Sequence, residues 1–227
     1  MTAVITFDAG QTLIELDLDF LAGRLVARGV AVEPAALWGA APAAWQRYDA
    51  IVEAGQDHAT AWRALIGAIV RGAGVEQAHD HVEWLYAQNA SANLWRKPIA
   101  GMIEIARELA GRGFRVGVLS NSEGRLAELL GEIGMVDAFA AVIDSRLVGL
   151  EKPDPRIFEH AFAVLGGVPG DAAIHVGDSW DADVIGARAA EWRAIWFGRR
   201  AAPVDDPEVA TAHDAVDVRA ALARWGI

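Results

Sequence analysis

Residues 4–13 read VITFDAGQTL, a short apolar run that ends at Phe7 and is followed at once by a single acid, Asp8. The run predicts a buried strand. Gly10, two residues after the acid, predicts a turn. Ligands of open α/β sheets bind at the carboxyl ends of the strands. The sequence therefore places a carboxylate where a binding or catalytic group is expected.

Composition narrows the class of protein. The chain has 227 residues, 53% of them apolar, which predicts a folded domain or one domain with an insertion. It contains no cysteine, which excludes disulfides and thiolate metal sites. We expect a cytoplasmic protein without a membrane span, because no apolar stretch approaches about 20 residues and the N-terminus does not resemble a secretion signal. The net charge of −11 argues against nucleic acid as a partner.

From about Ile99 onward, apolar β-rich runs alternate with helical segments. The predicted strands are residues 114–120, 140–145, 172–178 and 193–198, and the predicted helices are residues 102–113, 125–134, 155–166 and about 181–190. This alternation is typical of a parallel sheet with helices on both faces, and the first strand brings the predicted total to five. Residues 201–213 predict a loop, and residues 217–225 predict a closing helix.

Residues 17–93 have a different texture, with helical spacing and almost no strand signal. We expect three to five helices there, punctuated by Pro34 and Pro42. The sequence thus predicts an α/β core formed by residues 1–16 and 94–227, with an all-helical subdomain inserted at residues 17–93.

Polar residues recur at the ends of the predicted strands. Besides Asp8, they are Ser120 and Asn121, Lys152 in the segment after the next strand, and Asp178 with Asp181 and Asp183 close behind. Taken singly, most of them also fit helix caps or ordinary loops. Together, carboxylates, a hydroxyl and an ammonium on one rim provide what a magnesium ion and a phosphate need.

Four motifs in this order, FDAGQTL, VGVLSNS, EKPDPRIF and VGDSWDAD, resemble the haloacid dehalogenase (HAD) superfamily. The resemblance covers residues from about 4 to about 198. It implies a doubly wound, mainly parallel, Rossmann-like α/β core, and the helical insertion resembles the cap of that family. It also implies a hydrolase, most simply a phosphatase acting on a small phosphorylated metabolite.

The resemblance implies roles for five residues around the reacting phosphate. Asp8 would be the nucleophile that forms an aspartyl-phosphate. Ser120 would bind the transferring phosphoryl group, with Asn121 beside it. Lys152 would steady Asp8 and the phosphate charge, and Thr12 would orient Asp8 or the phosphate.

A Mg²⁺ site is also implied by the resemblance. Its ligands would be Asp8, the backbone carbonyl of Gly10 and Asp178, with Asp183 as a further ligand or a partner in the outer shell. The cation would allow two anions, the nucleophile and the phosphate, to approach each other. The resemblance leaves the substrate and the oligomeric state, monomer or homodimer, open.

The sequence departs from the pattern of the family's phosphatases at Gly10, where they usually carry a second aspartate as acid and base. Four interpretations follow. The protein is a magnesium-dependent hydrolase of phosphates with good leaving groups, a phosphatase with an acid from elsewhere, a 2-haloacid dehalogenase, or a catalytically weak or inactive relative that acts as a binding protein. Dehalogenases lack the second aspartate too but work without metal, whereas Asp178 and Asp183 favour a metal.

Overall fold

Strand β1, Ala3–Phe7, is buried along its whole length inside a six-stranded sheet. The computed structural model describes residues 2–89 and 91–227. The described residues divide into two compact units, one made of the chain up to Glu15 together with Trp95–Ile227, the other of Leu16–Leu94.

The described strands are β1 (Ala3–Phe7), β2 (Ile14–Leu16), β3 (Trp95–Pro98), β4 (Arg115–Ser120), β5 (Ala141–Asp144), β6 (Ala172–Gly177), β7 (Arg193–Phe197) and β8 (Val209–Ala212). The large sheet has the order β5-β4-β1-β6-β7-β8, and its neighbouring strands are parallel. Strands β2 and β3 form a separate two-stranded ribbon. Because β1 lies between β4 and β6, the carboxyl ends of these three strands are adjacent.

The described helices are α1 (Leu18–Ala27), α2 (Pro34–Glu53), α3 (His58–Gly72), α4 (Ala78–Ala87), α5 (Met102–Gly111), α6 (Leu126–Glu132), α7 (Ser145–Val148), α8 (Pro155–Val164), α9 (Gly186–Ala189) and α10 (Ala215–Arg224). A 3₁₀ turn covers Val136–Ala138, and a π-helical segment, Trp180–Ile185, leads into α9. None of the described helices is both long enough and apolar enough to cross a bilayer.

Helices cover both faces of the large sheet, and alternate side chains of β1 serve the two faces. Ile5 packs into a core that includes Leu109 of α5 and Leu222 of α10. Val4 packs into a second core, on the other face, with Phe158 of α8. Strands buried on both faces explain the nearly continuous apolar runs in the sequence. The predicted doubly wound, mainly parallel α/β fold is therefore confirmed.

The unit Leu16–Leu94 contains α1 to α4, in which α2 packs along α3 and α3 packs against α4. Asp17 caps α1 by accepting a hydrogen bond from Phe20 N at 2.8 Å. Asp57 caps α3 in the same way, accepting from Thr60 N at 2.9 Å. Trp62 of α3 is almost completely buried. Caps and buried apolar side chains explain why this part of the chain is helical.

Three details differ from the sequence-based expectations. Residues 209–212 form the edge strand β8 rather than part of a loop, because they pair with β7. Strands β2 and β3 were not predicted, since a run of three or four residues carries little periodic signal. Pro42 lies inside α2 and does not end it. Proline removes one backbone hydrogen bond, and a helix of 20 residues retains enough others to continue past it.

Candidate active site

Asp8 follows the last residue of β1 and is mostly buried. Its backbone N–H donates to Val176 O of β6 at 2.8 Å, which continues the sheet pairing one residue past the strand. Ser120 ends β4, the neighbour of β1 on one side, and Asp178 follows β6, the neighbour on the other. The sheet thus brings three of the predicted site residues to one edge.

Lys152 lies at the centre of the charged groups. Its Nζ donates to Asp8 Oδ1 at 2.7 Å, to Asp183 Oδ1 at 2.5 Å and to the carbonyl oxygen of Leu119 at 2.9 Å. Its side chain is 1% exposed. Burial acts to lower the pKa of Lys152, but the carboxylates of Asp183 and Asp8 raise it above its ordinary value. Lys152 is therefore a protonated ammonium held between two acids.

Asn121 holds the backbone of Lys152. Its Nδ2 donates to Lys152 O at 2.9 Å, and its Oδ1 accepts from Lys152 N at 2.9 Å. The sequence interpretation placed Asn121 on the phosphate. In the structure its side-chain amide binds both the backbone N–H and the backbone carbonyl of Lys152, so Asn121 positions Lys152.

Asp183 uses both carboxylate oxygens within the protein. Oδ1 accepts from Lys152 and from His175 Nε2 at 3.0 Å, and Oδ2 accepts from the backbone N–H of Ser179 at 2.8 Å. Burial alone would raise the pKa of Asp183, but Lys152 and His175 hold it well below its ordinary value. Asp183 is thus ionised, and its hydrogen bonds fix the position of the ammonium.

His175 is a site residue that sequence reasoning treated as a core histidine. It is fully buried on β6, with Nε2 3.0 Å from Asp183 Oδ1 and Nδ1 2.8 Å from Thr6 Oγ1. An ionised carboxylate only accepts, so Nε2 carries the proton and Nδ1 accepts from the threonine hydroxyl. Burial, with the ammonium of Lys152, lowers the pKa of His175 and keeps it neutral. The sequence feature that could have identified it is a single histidine inside an otherwise apolar strand.

Asp178 retains access to solvent, with a side chain 25% exposed. Its backbone carbonyl accepts from Trp196 Nε1 at 3.1 Å, and its Oδ2 lies 3.8 Å from Arg200 Nη2. Burial, followed by the charges of Asp183 and Asp8, raises the pKa of Asp178 to about 8. The position of Arg200 could not be predicted, because the arginine pair at 199–200 carries no motif.

The acids fit a divalent cation. One oxygen each of Asp8, Asp178 and Asp183 lies within 4.8 Å of the others. Burial, with the nearby carboxylate of Asp183, also raises the pKa of Asp8 despite the ammonium of Lys152. Mg²⁺ prefers hard oxygen ligands such as carboxylates. The three acids could carry three negative charges, and the single ammonium of Lys152 balances only one of them. Asp181, by contrast, is exposed and outside this cluster.

The turn after Asp8 contains two buried polar atoms without partners. They are Gln11 Nε2 and Thr12 Oγ1. Gln11 adopts a left-handed conformation with φ of 57°, and its backbone N–H donates to Ile14 O at 2.7 Å. Unpartnered buried donors are costly unless a ligand or water satisfies them. The turn therefore offers two neutral donors beside the nucleophile position.

Comparison with known proteins identifies the family of this chain. A sequence model of the haloacid dehalogenase-like hydrolases matches residues 2–191, which is most of the chain. The chain is a haloacid dehalogenase-like hydrolase. The resemblance carried by the four motifs is thereby confirmed, and so is the expectation that this HAD protein is a hydrolase.

Two curated relatives show the range of similarity in sequence. The human haloacid dehalogenase-like hydrolase domain-containing protein 3 is 32% identical over 197 residues, which cover 82% of this HAD chain and 78% of the human protein. Phosphoserine phosphatase from Thermus thermophilus is 36% identical over 138 residues, covering 60% of this chain and 53% of the phosphatase.

Solved structures share the fold at lower identity. The Bacillus subtilis protein YfnB, in a magnesium-bound crystal form, has a TM-score of 0.67 at 16% identity and covers 97% of this chain and 98% of its own. The 2-haloacid dehalogenase from Pseudomonas syringae has a TM-score of 0.57 at 22% identity, covering 99% of this chain and 100% of its own. At such identities the likeness concerns the fold.

Proposed function

We propose that this HAD hydrolase is a Mg²⁺-dependent phosphatase that acts on a small phosphorylated molecule through Asp8. The observation that carries the proposal is the asymmetric environment of this carboxylate. Lys152 donates to Oδ1, which leaves Oδ2 available to attack phosphorus. Two acids that fit a cation lie beside it. Phosphoserine phosphatase among the relatives supports a phosphoryl group, rather than a carbon–halogen bond, as the point of attack.

The proposed reaction has two steps, transfer of the phosphoryl group to Asp8 and hydrolysis of the aspartyl-phosphate. Asp8 Oδ2 forms a bond to phosphorus while the bond from phosphorus to the leaving oxygen breaks, and that oxygen keeps the electron pair. Water then attacks the phosphorus of the aspartyl-phosphate, the bond from phosphorus to Asp8 breaks with its electron pair returning to the carboxylate, and the proton that water loses is released to solvent. Lys152 holds Oδ1 throughout, which fixes the orientation of the nucleophile and balances part of the phosphate charge.

Phosphate binding would use groups that the fold leaves without protein partners. The Thr12 hydroxyl is buried and unpartnered, so it is available to donate to a phosphate oxygen or to orient Asp8. The Ser120 hydroxyl, at the end of the neighbouring strand, is proposed to bind the transferring phosphoryl group. Asn121 keeps its role on the backbone of Lys152.

Mg²⁺ would be held by Asp8, Asp178 and the backbone carbonyl of Gly10, near Asp183. When bound, the cation supplies positive charge that reduces repulsion between a carboxylate and a phosphate. Asp183 already accepts three hydrogen bonds, so we assign it chiefly to holding Lys152. We further propose that the helical unit Leu16–Leu94 is the cap, which would contribute to the choice of substrate.

A 2-haloacid dehalogenase is the second candidate, and Gly10 is the observation that favours it. A halide leaves without a proton, so that reaction needs no acid at position 10. The acids at positions 178 and 183 weigh against it, because they fit a cation and the dehalogenases of this superfamily work without metal. We therefore rank the phosphatase first.

One screen separates the two activities. Phosphate release from p-nitrophenyl phosphate and from acetyl phosphate, and chloride release from 2-chloropropionate, are measured with Mg²⁺ and with EDTA. The phosphatase proposal predicts Mg²⁺-dependent phosphate release that Asp8→Asn abolishes. Asp181→Asn, an exposed acid of the same segment, is the matched control and retains activity. Chloride release that EDTA does not affect would instead favour the dehalogenase.

A further inference from the structure

Gly10 faces the nucleophilic oxygen of Asp8. A Cβ built on Gly10 would lie 4.0 Å from Asp8 Oδ2 and 3.9 Å from Trp95 Cδ1, with no closer neighbour outside the adjacent residues. A side chain at this position would therefore start beside the oxygen that we assign as the attacking atom. Glycine leaves that place without any group that can exchange a proton.

The ionisable groups that influence Asp8 belong to another part of the site. Lys152, Asp183 and His175 form one hydrogen-bonded cluster, which contacts Asp8 through Oδ1. Asp178 is a proposed metal ligand. The groups beside Gly10, Gln11 and Thr12, are neutral and do not titrate near neutral pH. Position 10 itself therefore places no group that exchanges a proton near neutral pH beside Asp8 Oδ2.

We infer that Gly10 restricts this enzyme to phosphates whose leaving group departs as a stable anion, and that it makes hydrolysis of phosphorylated Asp8 the slower step. The substrate class is acyl phosphates and the phosphates of acidic enols or phenols, rather than alkyl phosphates. This inference rests on the proposed phosphatase function and adds to it a leaving-group specificity.

The chemistry of the two steps explains both parts of the inference. In the first step, a carboxylate or an acidic phenolate carries off the electron pair of the breaking bond and needs no proton, whereas an alkoxide does. General acid catalysis typically contributes about 10²–10⁴-fold, and alkyl phosphates lose that factor here. In the second step, attacking water must release a proton, and Gly10 offers no base to accept it, whichever substrate has phosphorylated Asp8.

The structure also provides the variant that tests this inference. Gly10 does not have a left-handed φ, and its Cβ position has only ordinary van der Waals neighbours, so the backbone there accepts a Cβ without strain or clash. Gly10→Asp introduces an ionisable group at that place. Gly10→Asn is the matched control, because it fills the same space without a carboxylate.

The experiment measures kcat and kcat/KM with Mg²⁺ for acetyl phosphate, a series of aryl phosphates of increasing phenol pKa and one alkyl phosphate. We expect kcat/KM of the natural chain to fall steeply with leaving-group pKa, and pre-steady-state release of one equivalent of phenol per site. Gly10→Asp should flatten the dependence, raise alkyl phosphate turnover by about 100-fold or more and remove the burst. Gly10→Asn should keep the steep dependence and the burst.

The outcomes distinguish this inference from the proposed function. Turnover of the alkyl phosphate at a rate close to that of the aryl phosphates, or a slope that is the same in the natural chain and in Gly10→Asp, would overturn the leaving-group specificity while leaving a phosphatase. Absence of a burst with the most acidic phenol would overturn the slow second step. Absence of phosphate release from every compound would overturn the phosphatase proposal itself.

Discussion

Lys152 Nζ lies 2.7 Å from Asp8 Oδ1, and this hydrogen bond makes the two oxygens of the Asp8 carboxylate unequal. One oxygen is tied to a buried ammonium, and the other lies on the side of Gly10. Because Lys152 is also bound to Asp183 and its backbone to Asn121, the position of Asp8 depends on residues from three other segments of the chain. Substitutions that break these hydrogen bonds should therefore change activity and stability in measurable ways.

Lys152→Met should inactivate and destabilise the protein. Removing the ammonium leaves the carboxylates of Asp8 and Asp183 buried without their main partner, and breaking a buried ion pair in this way costs about 3–5 kcal/mol. Urea denaturation measures the loss. Lys97→Met is the control, because Lys97 and Glu15 form a half-exposed pair at 2.9 Å, whose removal should cost at most about 1 kcal/mol. Equal losses in the two variants would contradict the central role of Lys152.

Asp178 should make the metal-free protein less stable as the pH rises. Burial and the neighbouring acids raise the pKa of Asp178 from 3.8 to about 8, so between these values the folded state binds more protons than the unfolded state. Its contribution to folding stability is therefore lost with rising pH over that range. Thermal denaturation in EDTA at about pH 5 and about pH 8 measures the effect.

Asp178→Asn should flatten this dependence and raise the stability of the metal-free protein at the higher pH. It should also remove any stabilisation by added Mg²⁺, since ligands stabilise the state that binds them. Asp181→Asn serves as control, because Asp181 is exposed. If Asp178→Asn and Asp181→Asn have the same pH profile, the electrostatic account of Asp178 is wrong.

His175→Leu should lower kcat more than it changes KM. The histidine holds Asp183, which in turn holds Lys152, so its loss disturbs the nucleophile rather than substrate binding. Loss of such supporting partners typically costs about 10–100-fold. His175→Gln retains an N–H that can donate to Asp183 and should recover part of the activity. A leucine variant as active as the glutamine variant would show that this hydrogen bond is not needed.

Gly177→Ala should disrupt the site through Asp183. A Cβ at Gly177 would lie 2.2 Å from Asp183 Cγ, a distance that the folded structure cannot accept without moving this carboxylate. We expect losses in both activity and stability, measured by phosphate release and by urea denaturation. Gly111→Ala is the control, since Gly111 ends α5 and has no atom near its Cβ position. A fully active Gly177→Ala would contradict the requirement for close approach.

The strands of the large sheet were predictable because residues buried on both faces form continuous apolar runs. Such runs identify β1, β4, β5, β6 and β7 from sequence alone. Strand β8, with the sequence VATA, was missed because its strand character depends on pairing with β7. The ribbon of β2 and β3 depends on tertiary pairing in the same way.

The candidate site was predictable where it follows from strand order, and not where it follows from side-chain contacts. Asp8 and Asp178 directly follow two adjacent parallel strands, so their proximity could be expected. The attachment of Asn121 to the backbone of Lys152 could not be, because it depends on how two loops meet. His175 was visible only as a polar residue in an apolar strand, a pattern that core histidines share.

Phosphorylation of Asp8 tests the central claim most directly. The protein is incubated with Mg²⁺ and acetyl phosphate, quenched in acid and analysed by peptide mass spectrometry after borohydride reduction, which marks phosphorylated aspartate. We predict modification at Asp8 that requires Mg²⁺ and is absent in Asp8→Asn. Phosphate release without any modification at Asp8, or modification that is unchanged in EDTA, would contradict a metal-dependent aspartyl-phosphate mechanism.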